Sequence, residues 1–188
     1  MRRQLRAIKA NQPHQLLVRC RPARRLAAIA VFALGVLVAR VAQAQVVEVP
    51  ADDAALRVQY EKGTRVVLFY SATCPASRQM FPSFVALARR YAPVGVTFLA
   101  FALDDDPEVL DAYLGTGILP FDRQYIRRAP AGVLSAAFRP TGLHVPRAAY
   151  TPSIAVIAGN GRIVGERVGI DGVLLTDGWL HRLGFRPE

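Results

Sequence analysis

At 188 residues with 52% hydrophobic side chains, the chain is long enough to bury a sizeable core, and nothing in its length calls for a second domain. Its formal charge of +10 invites a nucleic-acid partner, yet nine of the 24 basic residues (Arg2, Arg3, Arg6, Lys9, Arg19, Arg21, Arg24, Arg25 and Arg40) fall in residues 1–44, which contain no acidic residue. Residues 45–188 keep 15 basic against 14 acidic residues, so the basicity belongs to the leader and no nucleic-acid partner is expected.

That leader has the layout of an export signal: a basic start, an apolar run from Leu26 to Ala39, and Ala42–Ala44 as a small-x-small cleavage site. Fourteen apolar residues at 1.5 Å each make about 21 Å of helix, short of the roughly 30 Å hydrocarbon core of a bilayer. Residues 1–44 therefore read as a signal peptide, with an uncleaved N-terminal anchor as the alternative and a membrane association only in that case. The long basic region and Arg40 are unusual for a signal, and Arg24-Arg25 leaves a twin-arginine signal open. The expected location is exported, periplasmic or otherwise extracytoplasmic. Of the two cysteines, Cys20 lies in the leader, so the exported form carries Cys74 as a single thiol and no internal disulfide.

Residues 45–63 form an N-terminal extension in which Asp52 caps a short amphipathic helix stopped by Gly63. Residues 64–185 are then one domain. "RVVLFYSA" is a continuous apolar strand of the kind buried on both faces of a sheet. A helix starts at Pro75, where a missing N–H costs nothing, and buries Met80, Phe81, Phe84, Val85, Leu87, Ala88 and Tyr91, with Pro82 interrupting it. "VGVTFLAFAL" is the next buried strand, and "DDDPEVLDAYLGTG" a helix opened by aspartate and closed by glycine. Strand, helix, strand, helix in this order indicates a parallel βαβ unit. Within residues 120–150, "AGVLSAAF" reads as helical and "RPTGLHVPRAAY" as loop. Two strands joined by Gly159-Asn160-Gly161 make a hairpin, and a last helix from Asp171 to Leu183 covers the sheet, with Trp179 packing it down.

Cys74 stands just before a helix N-terminus, where unpaired backbone N–H groups and the positive end of the helix dipole favour thiolate over thiol. The surrounding chain resembles the thioredoxin-fold proteins, and among them the exported TlpA/ResA type. The resemblance is carried by the apolar strand ending in "FYSA" before Cys74, the cysteine opening a helix, Pro82 eight residues on, Thr151-Pro152 opening a hairpin that ends in "VG", and "FALDDDPEVLDAYLGTGILPF". It covers residues 55–185 and implies an α/β thioredoxin-like fold: a central mixed sheet flanked by helices, with residues 120–150 inserted before a cis-proline. It also implies that Thr151-Pro152 lies beside the Cys74 sulfur, where an extended client peptide can pair with the Thr151 backbone. Thr73 and Pro75, flanking Cys74, complete the substrate-facing set.

The departures from that family decide what chemistry is left. Ser77 occupies the position of the resolving cysteine, Thr73 that of a common tryptophan, and Leu68 that of a buried acid. A Cys74 thiolate can attack a disulfide, but Ser77 cannot release the product, since a hydroxyl is not a redox nucleophile. Ser77 can still hydrogen-bond the sulfur. The expectation is monothiol thiol–disulfide exchange, isomerase-like or glutathione-dependent, with client protein disulfides or thiols as substrates and glutathione or a thioredoxin-like protein as the external thiol. The alternatives are a redox-inactive binding or assembly module and a thiol peroxidase, the last weakened by Val67 where peroxidases of this fold carry a proline. No cofactor is called for. His144 and His181 give Cys74 too few companions for a metal site. Asp104, Asp105 and Asp106 read as a helix-start cluster, and Arg123, Arg127 and Arg128 as a solvated face.

Overall fold

The computed structural model describes residues 46–115, 117–127, 131–143 and 151–187. The leader with its cleavage site and Cys20, and also Arg128 and His144, lie outside these residues.

Six strands make one sheet: β1 (Val47–Glu48), β2 (Arg65–Tyr70), β3 (Thr97–Ala102), β4 (Gln124–Tyr125), β5 (Ser153–Ile157) and β6 (Ile163–Val168), in the order β1-β4-β3-β2-β5-β6. Strands β2 and β3 run parallel from Arg65 opposite Thr97 to Tyr70 opposite Ala102, while β5 is antiparallel to β2 and β6 to β5. The helices are α1 (Ala51–Tyr60), α2 (Pro75–Tyr91), α3 (Pro107–Leu114), α4 (Ala131–Phe138) and α5 (Gly172–Arg182). This mixed sheet, flanked by helices and with α2 joining its two central parallel strands, is the thioredoxin-like arrangement.

Strand β2 is buried along its whole length because alternate side chains face two separate cores. Val66, Leu68 and Tyr70 meet α2 and α5 through Met80, Phe84, Tyr91, Val173 and Leu180. Val67 and Phe69 meet α1 and α4 through Ala54, Val58, Leu134 and Phe138, with Phe69 and Phe138 edge to face at 5.1 Å. A strand covered on both faces has no room for alternation in its sequence, which is why "RVVLFY" reads as one apolar run.

Several local expectations change. Helix α1 begins at Ala51 behind Pro50, and Asp52 and Asp53 lie in its first turn, so the dipole rather than an aspartate cap favours them. Helix α2 runs unbroken through Pro82, which sits on its exposed side while the opposite face is locked into the core. Packing of an apolar face outweighs the single hydrogen bond that proline forfeits. Part of the stretch read as loop is a 3-10 turn, Arg139–Thr141, closed by Gly142 at φ 74°.

Arg123 is not part of a solvated face. Only 5% of it is exposed, and its guanidinium donates to the Gly115 carbonyl at 2.6 Å and to the Gly117 carbonyl, fastening the turn after α3. Arg127 is exposed and pairs with Glu48 at 3.0 Å. Trp179 does pack α5 onto the sheet, and the fit depends on a glycine: a β-carbon at Gly165 of β6 would fall on the indole ring. Gly165→Ala forces a rigid aromatic out of its seat, and overpacking of this kind costs about 1–3 kcal/mol. The expected drop in Tm is roughly 3–10 °C, read by thermal unfolding. An unchanged Tm would show that the indole can give way freely.

Candidate active site

The site is built where β2 ends. After Tyr70 the chain turns through Ser71, Ala72 and Thr73 and enters α2, with Cys74 as the residue preceding the first helical turn at φ −83° and ψ 119°. Its carbonyl already accepts the first helical bond, from Arg78 N–H at 3.0 Å. Pro75 takes the first helical position and is exposed, as is Thr73, while Cys74 itself is partly exposed. The helical start leaves the Ala76 and Ser77 N–H groups facing the sulfur.

From the other side comes the residue before β5. Ser153 pairs with Phe69, and antiparallel continuation carries Thr151 past the end of β2 to the level of the Cys74 turn. The Cys74 Sγ–H donates to the Thr151 carbonyl at 3.3 Å, and the Thr151–Pro152 peptide bond is cis. Two residues 77 positions apart are thus brought together by one strand register. Burial pushes the Cys74 thiol up, but the Ser77 N–H, the Thr151 and Ser77 side chains and the Ala76 N–H together pull it further the other way, leaving it below the ordinary thiol value.

Ser77 is fully buried. Its oxygen accepts the Ser71 N–H at 3.2 Å, which leaves its proton free to point at the sulfur. Leu68, at the position where the resembled family has a buried acid, is fully buried within the apolar core. The buried carboxylate at this site comes from elsewhere. Asp104, 5% exposed, leaves the end of β3 and accepts from Ser71 Oγ at 2.8 Å and from the Ala72 N–H at 2.9 Å. Of the aspartate cluster only Asp106 caps α3, accepting from Glu108 N–H at 2.9 Å. Reading Asp104 as a helix-start residue is therefore corrected: it serves the Cys74 turn.

The sequence offers Asp104 as a helix-start residue and Ser71 as a stand-in for a peroxidase threonine, and the role of both at the Cys74 turn is what reading the sequence missed. The available signal was register. Once β2 and β3 pair as parallel neighbours with Tyr70 opposite Ala102, the residues two further along each strand fall side by side, and these are Ala72 and Asp104. His181 lies apart from the site, on α5, with its ring 3.2 Å from the Tyr91 hydroxyl. Among the described residues no group of His, Cys, Asp and Glu is arranged to hold a metal ion.

No protein-family model matches the chain, and no curated protein matches it either. Solved structures do. A thiol:disulfide interchange protein of the thioredoxin family from Chlorobium tepidum is 22% identical over 68% of this chain and 83% of that one, at a TM-score of 0.48. StoA from Bacillus subtilis is 16% identical over 64% of this chain and 85% of its own, at 0.47. A secreted disulfide oxidoreductase from Mycobacterium tuberculosis is 19% identical over 64% and 81%, also at 0.47. Likeness at this level leaves the chemistry of Cys74 to be argued from its own surroundings.

Proposed function

We propose that this protein is a monothiol thiol–disulfide exchange protein acting on exported proteins. The observation that carries the reading is the Cys74 sulfur itself: partly exposed, set at the start of α2, drawn toward thiolate by its neighbours and 3.3 Å from the Thr151 carbonyl. Cys74 is the nucleophile and Ser77 its hydrogen-bond partner, while Thr73, Pro75 and Thr151 form the client-facing rim and Pro152, read as part of that rim, is itself buried after the cis bond.

The cycle needs two partners. The Cys74 thiolate attacks one sulfur of a client disulfide, forming a Cys74–client bond, and the second client sulfur leaves as a thiolate that takes up a proton. An external thiol, glutathione or a thioredoxin-like protein, then attacks the mixed disulfide and frees Cys74. Alternatively another thiol of the same client attacks the client sulfur bonded to Cys74, closing a new client disulfide and expelling the Cys74 thiolate, which is isomerisation. Export rests on the basic and apolar leader with its small-x-small site. Anchoring is a property of that leader alone in this proposal, since among the described residues no helix is long and apolar enough to cross a membrane.

A binding module without redox turnover is the competing reading, favoured by the apolar packing of Leu68 and the hydroxyl at residue 77. The pH profile of Cys74 alkylation separates the two. A depressed thiol is in its reactive form across the interval between its own pKa and that of free cysteine, so the alkylation rate at pH 6–7 should exceed that of free cysteine several-fold, and the advantage should vanish above about pH 9. An alkylation profile that overlays free cysteine removes the exchange reading and leaves the module.

A further inference from the structure

Asp104 is a buried carboxylate that takes no part in the exchange just described, and three of the four residues between Tyr70 and Pro75 hang from it, two directly and one through Ser71. The directions of these bonds can be worked out. The Ala72 N–H donates to both carboxylate oxygens, at 2.9 and 3.1 Å. Ser71 has a single hydroxyl proton, and it lies on the 2.8 Å bond that Ser71 Oγ donates to Asp104. The Ser71 oxygen is then an acceptor for everything else. It takes the Thr73 N–H at 3.2 Å, and in its 2.9 Å contact with the Thr73 hydroxyl it is Thr73 that donates.

The backbone of Ser71 carries the consequence to the sulfur. Its carbonyl accepts the Cys74 N–H at 3.2 Å, and its N–H occupies the Ser77 oxygen at 3.2 Å, which turns the Ser77 proton toward Sγ. We infer that Asp104 is the positioning residue of this site: without touching the sulfur, it fixes the Ser71–Thr73 turn, and through Ser71 it sets the direction of the Ser77 hydroxyl and the placing of Cys74 against Thr151. The same chain of bonds directs the Thr73 proton inward, so the exposed Thr73 oxygen meets a client as an acceptor of its N–H groups. This inference rests on the exchange reading above.

The ionisable Tyr70 is coupled to the carboxylate. Tyr70 of β2 has its hydroxyl held well above the usual tyrosine range, by burial first and then by Asp104 and Tyr113, so it stays neutral throughout the range of interest. Arg123, from the segment before β4, acts on Tyr70 in the opposite sense. A loss of charge at residue 104 and a loss of its acceptors therefore push Cys74 in opposite directions. Removing a nearby negative charge favours the thiolate. Releasing the turn removes the donors that stabilise it.

The test is the pH profile of Cys74 alkylation by iodoacetamide in the full chain, with Tm measured alongside, for the wild type, Asp104→Ala, Asp104→Asn and Ser71→Ala. A positioning role moves the midpoint upward by about one unit in Asp104→Ala and Ser71→Ala, so alkylation at pH 6 slows about tenfold while the limiting rate at high pH is kept. Asp104→Asn, which retains one acceptor oxygen, falls between them and the wild type. Should Asp104→Ala fail to fold, Ser71→Ala decides, because it leaves the carboxylate and its bonds to Ala72 in place. Midpoints that stay put or move downward in the folded variants overturn the inference. The wild-type curve alone tests the exchange reading, and the differences between curves test this one, so the two fail separately.

Discussion

Cys74→Ser removes thiol–disulfide exchange altogether, with turnover of a model protein disulfide falling to the uncatalysed rate, a loss of at least about a thousandfold. The serine hydroxyl is isosteric enough to keep the donor bond to the Thr151 carbonyl, at 3.3 Å for the native sulfur. It cannot ionise near neutral pH, and it cannot form a bond that a thiol would reopen. Because residue 74 is partly exposed and precedes the helix rather than filling the core, the Tm should move by no more than about one or two degrees. Loss of exchange with unchanged stability assigns the chemistry to one atom. Exchange retained in the variant would assign it to something else and end the monothiol mechanism, and client binding retained without any exchange in the wild type would favour the module.

The second large effect is a gain. Ser77→Cys places a thiol where the hydroxyl now reaches the Cys74 sulfur from inside the protein. In the wild type, a client disulfide added without an external thiol should convert Cys74 to a stable mixed disulfide and stop there. In the variant, the new thiolate at position 77 attacks the Cys74 side of that bond, an intramolecular bridge closes, and the client sulfur departs as a thiol. The two electrons lost by the pair of protein thiols are gained by the client disulfide, and the balance closes with no outside reagent. Release should be faster than in the wild type by at least about a thousandfold, the advantage of an intramolecular attack. Mass spectrometry of the protein after mixing reads both species directly. A trapped adduct in the variant as long-lived as in the wild type would mean that the buried position at residue 77 cannot approach the sulfur, and the family-like geometry at this turn would be lost with it.

Where the two readings of the chain meet, the agreement has a local cause. Strand β2 and helix α2 were legible because their signals lie within a few residues: a continuous apolar run, a proline at the first helical position, and Met80, Phe84 and Leu87 on one face. The hairpin between β5 and β6 was written in Gly159-Asn160-Gly161 in the same way, with Gly161 at φ 83°. Strands β1 and β4 were not legible. Each is two residues long; β4 exists because β3 offers an edge to pair with and β1 because β4 does, which no window of sequence contains.

The same division runs through the site. The order of residues by itself determined that one thiol opens a helix, that a hydroxyl stands three positions on, and that a Thr-Pro pair opens a later strand, since nearest neighbours and dipoles act over a single turn. Only the tertiary structure decided which of three adjacent aspartates matters to that thiol and that Arg123 is an interior clasp rather than surface charge. Asp104, Asp105 and Asp106 have the same chemistry and nearly the same neighbours along the chain. What distinguishes them is the parallel register of β2 and β3, a contact between segments far apart in the chain, and it turns the first inward to the Cys74 loop and leaves the third to cap a helix.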